Sequence, residues 1–187
     1  MKRLFIGIPV KSEKAFAFSR QWQNNRLLNQ NKLVWTLPSS WHITLYFLGA
    51  TPEDQVALLS ELIVGSFQGA SSFNTEITGV GVFPNTHNPK VLWLGFNNLR
   101  PLQEAYKRLG ELLQANSFPY DPKPLKPHLT LARIKSLGDS RPLNNLLSEF
   151  REHSFGTISI DRVVLFESIS TPSGPVYKPL FVQQLSE

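Results

Sequence analysis

The sequence predicts an α+β fold, bilobal, with two pseudo-symmetric lobes of mainly antiparallel sheet and flanking helices. Three observations lead there. Helical and strand periodicities alternate, but not with the spacing of a doubly wound parallel sheet. Two strand-like runs, 72–83 and 90–97, are joined by the turn-rich PNTHNPK and read as a hairpin. Finally, one unit occurs twice, as WHITLYFLGATPEDQVALLSEL (41–62) and PHLTLARIKSLGDSRPLNNLLSEF (127–150). Each copy gives His-aliphatic-Thr-Leu, more strand, a glycine-containing turn, a polar cap and a helix ending in Leu-Leu-Ser-Glu-apolar. The copies lie 86 residues apart (128 minus 42), and an internal repeat of this kind predicts two related lobes within one domain, 1–187.

The elements follow in order. Arg3 to Val10 reads as a strand closed by Pro9. Ser12 caps a helix running to about Leu28, with Phe16, Phe18, Trp22, Leu27 and Leu28 as its apolar content. LVWTL (33–37) is a short strand, and Pro38-Ser39-Ser40 turns the chain. His42 to Leu48 is the next strand, stopped by Gly49. Thr51-Pro52-Glu53-Asp54 has the form of a helix start, with a cap, a proline at the first position and acids in the first turn; that helix runs to about Phe67. After the hairpin, Arg100 to Gln114 carries Leu102, Ala105, Tyr106, Leu109, Leu112 and Leu113 on one broad helical face. YDPKPLKP is extended, His128 to Lys135 is a strand, and Asp139 or Ser140 opens a helix to about Phe150. Strands at 154–160, 161–169 and 176–183 complete the chain, with Ser173-Gly174 as the last turn.

Composition bounds the function. The chain has 187 residues, 41% hydrophobic and 18% charged, so it can bury a core without covalent staples. It has no cysteine, which excludes disulfides, thiolate metal sites and a cysteine nucleophile, and fits a reducing cytoplasm. The net charge of +5 favours polyanionic partners. The N-terminal apolar run is short and soon broken by Lys11, Glu13 and Lys14, so it reads as a strand leading into a helix rather than a signal peptide. No stretch approaches the length of a membrane span, and no glycine-rich phosphate loop occurs.

The repeated motif carries the chemistry. Residues two apart on a strand share a face. His42 and Thr44 therefore share one, as do His128 and Thr130, while Ile43, Leu45, Leu129 and Leu131 point into core. If the lobes pack about a pseudo-twofold axis, two imidazoles and two hydroxyls meet across a cleft. Two histidines can serve as one general base and one general acid near neutral pH. Threonine hydroxyls can donate to phosphate oxygens. No metal is required, and no Asp or Glu accompanies either motif. A 2',3'-cyclic phosphate suits such a site. A single His-x-Thr is more often a satisfied core histidine, but two copies in equivalent settings favour a paired site. His87 and His153 sit in polar, loop-like surroundings and read as exposed.

HITLYFLG and HLTLAR resemble the paired motifs of the 2H phosphoesterase superfamily, nearest to its RNA 2',3'-cyclic phosphodiesterases, also called 2'-5' RNA ligases. RLFIGIPV and VLWLGF are similar to the same branch. The resemblance implies a bilobal α+β fold with the site between the lobes. It implies that His42 is the proton donor, His128 the proton acceptor, and Thr44 and Thr130 the phosphate-binding threonines. Phe47 matches a family aromatic near the nucleotide and Arg133 a basic residue after the second motif. The implied product is a 2'-phosphate on RNA, with reversible 2'-5' ligation as a related reaction. From the sequence as a whole, the chain is expected to need no cofactor and to be a cytoplasmic monomer with no obligate protein partner. The donor and acceptor roles come from the resemblance alone.

Strict alternation puts Phe47 and Arg133 on the faces opposite the histidines, so they reach the cleft only through a twist, a bulge or a curling stem. Core packing explains Phe47 equally well. Trp35, Trp41, Tyr46, Trp93 and Tyr177 could stack on bases or simply pack. Lys123, Lys126 and Lys135 flank the second motif and could attract RNA phosphates. Two other readings stand beside the RNA enzyme. One is a 2H enzyme for small cyclic nucleotides or 2'-5' oligonucleotides. The other is a non-catalytic RNA-end binding module, which should have lost a motif histidine; both remain here.

Overall fold

The computed structural model describes residues 1–26, 28, 31–120, 124–172 and 174–187. Leu27, Lys123 and Ser173, placed above on a helix face, a basic flank and a turn, lie outside the described residues, as do Asp121 and Pro122 of the extended stretch.

Among the described residues, nine strands form one curled antiparallel sheet, with four helices packed on it. The strands are β1 (Lys2–Pro9), β2 (Lys32–Trp35), β3 (His42–Thr51), β4 (Phe73–Phe83), β5 (Val91–Phe96), β6 (His128–Ser136), β7 (Ser154–Ile160), β8 (Arg162–Thr171) and β9 (Gly174–Gln184). The helices are α1 (Glu13–Gln23), α2 (Val56–Phe67), α3 (Gln103–Ala115) and α4 (Arg141–Glu149). The strand order is β7-β4-β5-β6-β3-β1-β8-β9, with β2 added on β6. The motif strands β3 and β6 are thus central neighbours, each the inner strand of a four-strand half. Among the described residues their pairing consists of Ile43 opposite Leu129, the residues between His and Thr in each motif.

Apolar patterning explains the layers. Ile43, Leu45, Leu129 and Leu131 are buried on the helix side of the sheet, as the alternation requires. Helices α2 and α3 pack on each other, with α2 against β8 and β9, while α1 lies against β7 and α4 against β4. Phe18 of α1 sets its ring edge on Phe150 and Phe155 at 5.0 and 4.7 Å, contacts worth about 0.5–1.5 kcal/mol each beyond area burial. Among the described residues, no helix is long and apolar enough to cross a membrane.

Three expectations change. Helix α1 is capped by Ser12 as expected but stops at Gln23 rather than near Leu28. There the side chain of Asn25 accepts from the Leu28 N–H and offers the backbone an alternative to another helical turn. Strand β3 does not end at Gly49 but runs to Thr51. Gly49 has φ +69° and sits at a bulge, where Phe47 pairs Phe5 but Gly49 pairs Leu4, leaving Leu48 as the extra residue. Thr51 is consequently strand rather than cap, and a 3-10 turn at Glu53–Gln55 leads into α2.

Candidate active site

Each motif strand contains a second irregularity, and the two match. In the β1–β3 ladder Gly7 pairs Thr44 and Ile6 pairs Tyr46, so Leu45 is an extra residue. In the β5–β6 ladder Trp93 pairs Thr130 and Leu92 pairs Ala132, so Leu131 is extra. Leu45 and Leu131 occupy the same position in the two copies. A bulge shifts the alternation by one. Beyond it Tyr46 and Ala132 are buried, while Phe47 and Arg133 turn to the face of the histidines. Phe47 is 67% exposed, which removes the core reading.

That face is the wall of a cleft of about 660 Å³, lined among others by His42, Thr44, Phe47, His128, Thr130 and Arg133. All six residues singled out from the sequence therefore meet in one cavity. Register fixes their relation: with Ile43 opposite Leu129, His42 is level with Thr130 and Thr44 with His128. The two histidines are then diagonal neighbours, about 7–8 Å apart on a regular ladder.

The imidazoles are held alike. His42 Nδ1 lies 2.7 Å from the Ser40 carbonyl and His128 Nδ1 lies 2.7 Å from the Lys126 carbonyl. A carbonyl only accepts, so Nδ1 carries a proton on each ring and Nε2 is the nitrogen left to exchange one. Aromatic rings brace both. Phe5 lies 4.7 Å from His42, Tyr177 meets it edge-on at 5.0 Å, and Phe83 meets His128 edge-on at 4.9 Å. Burial pushes both histidines below their ordinary pKa, against the carbonyl bonds, which raise it; His128 and the Arg133 guanidinium lower His42 further. Both rings are thus biased toward neutrality until an anion enters. The Thr44 and Thr130 hydroxyls have no side-chain partner among the described residues and stand free for a ligand.

The other sequence candidates divide. Trp41 and Tyr46 are core rather than stacking platforms: Trp41 Nε1 donates to Thr36, and the Tyr46 hydroxyl donates to the Tyr106 carbonyl. Trp93 lies over Gly81 and does not line the cleft. Trp35 and Tyr177 do line it. Lys126 and Lys135 are exposed, as are His87 and His153. Arg3, Phe5 and Ser168 belong to the cleft without having been singled out. The alternation of β1 could have suggested Arg3 and Phe5, but only long-range pairing brings β8 beside them. No Asp or Glu is among the described residues lining the cleft, and no cluster of three or more His, Cys, Asp or Glu able to hold a metal occurs among the described residues.

Comparison with known proteins places this architecture. Residues 14–171 match the sequence profile of the 2'-5' RNA ligase superfamily. The chain is 31% identical over 180 residues to the RNA 2',3'-cyclic phosphodiesterase of Thermotoga maritima, covering 96% of this chain and 93% of the relative. It is 35% identical over 146 residues to the enzyme of the same name from Archaeoglobus fulgidus, covering 78% and 80%. Among solved structures it resembles TT0787 of Thermus thermophilus, with a TM-score of 0.76, 28% identity and coverage of 98% and 97%. It shares its fold with E. coli LigT complexed with 3'-AMP, with a TM-score of 0.78, 20% identity and coverage of 100% and 99%.

Proposed function

The chain belongs to the 2'-5' RNA ligase superfamily, and on that premise we propose that it is an RNA 2',3'-cyclic phosphodiesterase. It opens the terminal cyclic phosphate of RNA to a 2'-phosphate by two-histidine acid–base catalysis, without a metal. The observation that carries this reading is the matched pair of imidazoles, each locked through Nδ1 to the carbonyl two residues before it, in one cleft with two free threonine hydroxyls.

The steps follow from those groups. The cyclic phosphate lies between the motifs, its non-bridging oxygens accepting from Thr44 and Thr130. Neutral His128 accepts through Nε2 a proton from water as the water oxygen attacks phosphorus. The bond from phosphorus to the 3' oxygen breaks, and His42, protonated on Nε2, donates that proton to the leaving oxygen. The products are a 2'-phosphate and a free 3'-hydroxyl. The bound phosphate anion favours charge on His42, offsetting the burial that keeps the empty site neutral. The Arg133 guanidinium adds positive charge beside the phosphate, and Phe47 offers a face to the terminal base. With the 5'-hydroxyl of a second RNA in place of water, the same transfers give a 2'-5' linkage. The two lobes act as one domain, as a monomer in the cytoplasm.

The test is incubation with an oligonucleotide ending in a 2',3'-cyclic phosphate, with and without a chelator, and identification of the product end. A 2'-phosphate formed equally in both conditions is expected. Binding without turnover would replace the enzyme by an RNA-end binding module, and chelator-sensitive turnover would replace the metal-free mechanism.

A further inference from the structure

The cleft holds a second cationic position away from the motifs. Lys2 and Arg3 are adjacent on β1, and alternation sends their side chains to opposite faces. Lys2 is tied down by Glu167 at 3.2 Å and Glu53 at 3.4 Å. Arg3 lines the cleft and has no carboxylate partner among the described residues. The β1–β8 register, Leu4 opposite Glu167, brings Arg3 level with Ser168, and Ser168 pairs Tyr177 on β9. These three cleft residues make one row across three strands. The Tyr177 ring reaches back to His42, and its hydroxyl has no hydrogen-bond partner among the described residues. The guanidiniums of Arg3 and Arg133 both act electrostatically on that phenol. An unpaired guanidinium and two hydroxyls therefore share the wall beside the donor histidine.

Distance separates the Arg3 end of this row from the reacting phosphate, while the Tyr177 ring spans toward it. Gly7 pairs Thr44, and Arg3 lies four residues along β1 from Gly7, about 13 Å at roughly 3.3 Å per residue. The arginine stem covers part of that span. Its head is then about one nucleotide step from a phosphate held by the threonines, too far to share it and well placed for the next one. Guanidinium with hydroxyls is the donor set that phosphate takes.

We propose that Arg3, Ser168 and Tyr177 seat a second phosphate, the one on the 5' oxygen of the terminal nucleoside, so that the enzyme selects cyclic-phosphate ends carrying a 5'-phosphoryl group. The proposal rests on the phosphodiesterase reading above. The phosphoryl group is either the internucleotide diester of an RNA or the monoester of a 5'-phosphorylated mononucleotide.

The experiment measures kcat/KM on four compounds. They are adenosine 2',3'-cyclic phosphate, its 5'-phosphorylated form, the dinucleotide with the same cyclic end, and that dinucleotide with a neutral methylphosphonate linkage. A preference of about 10- to 100-fold is expected for a 5'-phosphoryl compound over the 5'-hydroxyl one, the range of a charge-assisted hydrogen bond. The methylphosphonate should lose it. Enhancement in both charged compounds, or in the dinucleotide alone, supports the seat and identifies its natural occupant. In Arg3→Gln the preference should collapse toward one, with partial retention in Arg3→Lys and a smaller loss in Ser168→Ala. Equal wild-type rates on all four compounds would overturn the proposal. So would a preference unchanged in Arg3→Gln, or a methylphosphonate dinucleotide as good as the diester. A wild type that opens none of the four removes the phosphodiesterase reading and the seat with it, a result distinct from equal rates.

Discussion

Gly7→Ala tests whether the motif strand β3 is held as tightly as the proposed chemistry requires. A Cβ at Gly7 would lie 2.8 Å from the Ile43 carbonyl and 3.6 Å from the His42 ring, where ordinary contact begins at 3.4 Å. The nearer atom is backbone of β3, so it cannot rotate away as a side chain would. Ile43 sits between His42 and Thr44 and also makes the pairing to Leu129, so whatever moves it moves the site. Overpacking of this kind costs ~1–3 kcal/mol. For a chain of this size that lowers Tm by roughly 2–12 °C. Activity should suffer more than stability suggests, because misplacing catalytic groups by about 1 Å costs on the order of 10²-fold. Thermal melts and kcat/KM on a cyclic-phosphate RNA measure both effects. Gly49→Ala is the control: its φ of +69° strains an alanine, yet its Cβ meets nothing within 4 Å, so Tm should fall without a disproportionate loss of rate. If Gly7→Ala matched wild type in both measurements, the close approach of β1 and β3 would not be what fixes His42.

Other outcomes follow from the same geometry. His42→Ala and His128→Ala should each lower kcat by ~10²–10⁴-fold, and Thr44→Ala or Thr130→Ala by less, since each removes one hydrogen bond to phosphate; a folded His128→Ala with a near-normal rate would refute the acid–base pair. The kcat/KM profile should be bell-shaped, because one imidazole must be neutral and the other charged. Burial lowers both pKa values, so the maximum should lie on the acid side of about 6.5, with limbs that belong to the coupled pair; a rate climbing steadily with pH would refute it. Stability should depend on pH through the same rings. Their folded-state pKa values are depressed, so their contribution is full above about 6.5 and is lost as pH falls through the folded values. Urea melts from pH 8 to 5 should show less of this loss in His42→Gln.

What the sequence made legible was whatever is local or repeated. The duplicated His-x-Thr set the faces of His42, Thr44, His128 and Thr130, and neighbouring patterns gave the strands and helices of the sheet and its cover. Phe47 and Arg133 resisted because their faces depend on bulges, and a bulge is a property of two strands in register. The only local trace is the apolar doublet, Leu45-Tyr46 and Leu131-Ala132, which breaks the period of two at the same place in both copies. Arg3 and Tyr177 were harder still, since a row across β1, β8 and β9 exists only after residues 174 positions apart have been brought together. The early end of α1 turned on one side chain, Asn25, competing for a backbone N–H.

The sheet order has a consequence for the history of each molecule. Strand β1 is made before the other eight strands described, yet one of its two partners is β8, at residues 162–171. Helix α1 likewise packs on β7, at 154–160. Neither half of the sheet can close before β7 and β8 have been made, a delay after β1 of about 8–30 s at typical elongation rates. Such distant pairings are also the slow ones to form. Chains that end between residues 136 and 154 should therefore bind no cyclic-phosphate RNA even though both His42 and His128 are present. The phenol ring of Tyr177, which meets the His42 ring edge-on, is made 135 residues after it (177 minus 42), so the wall around His42 is completed long after the histidine itself.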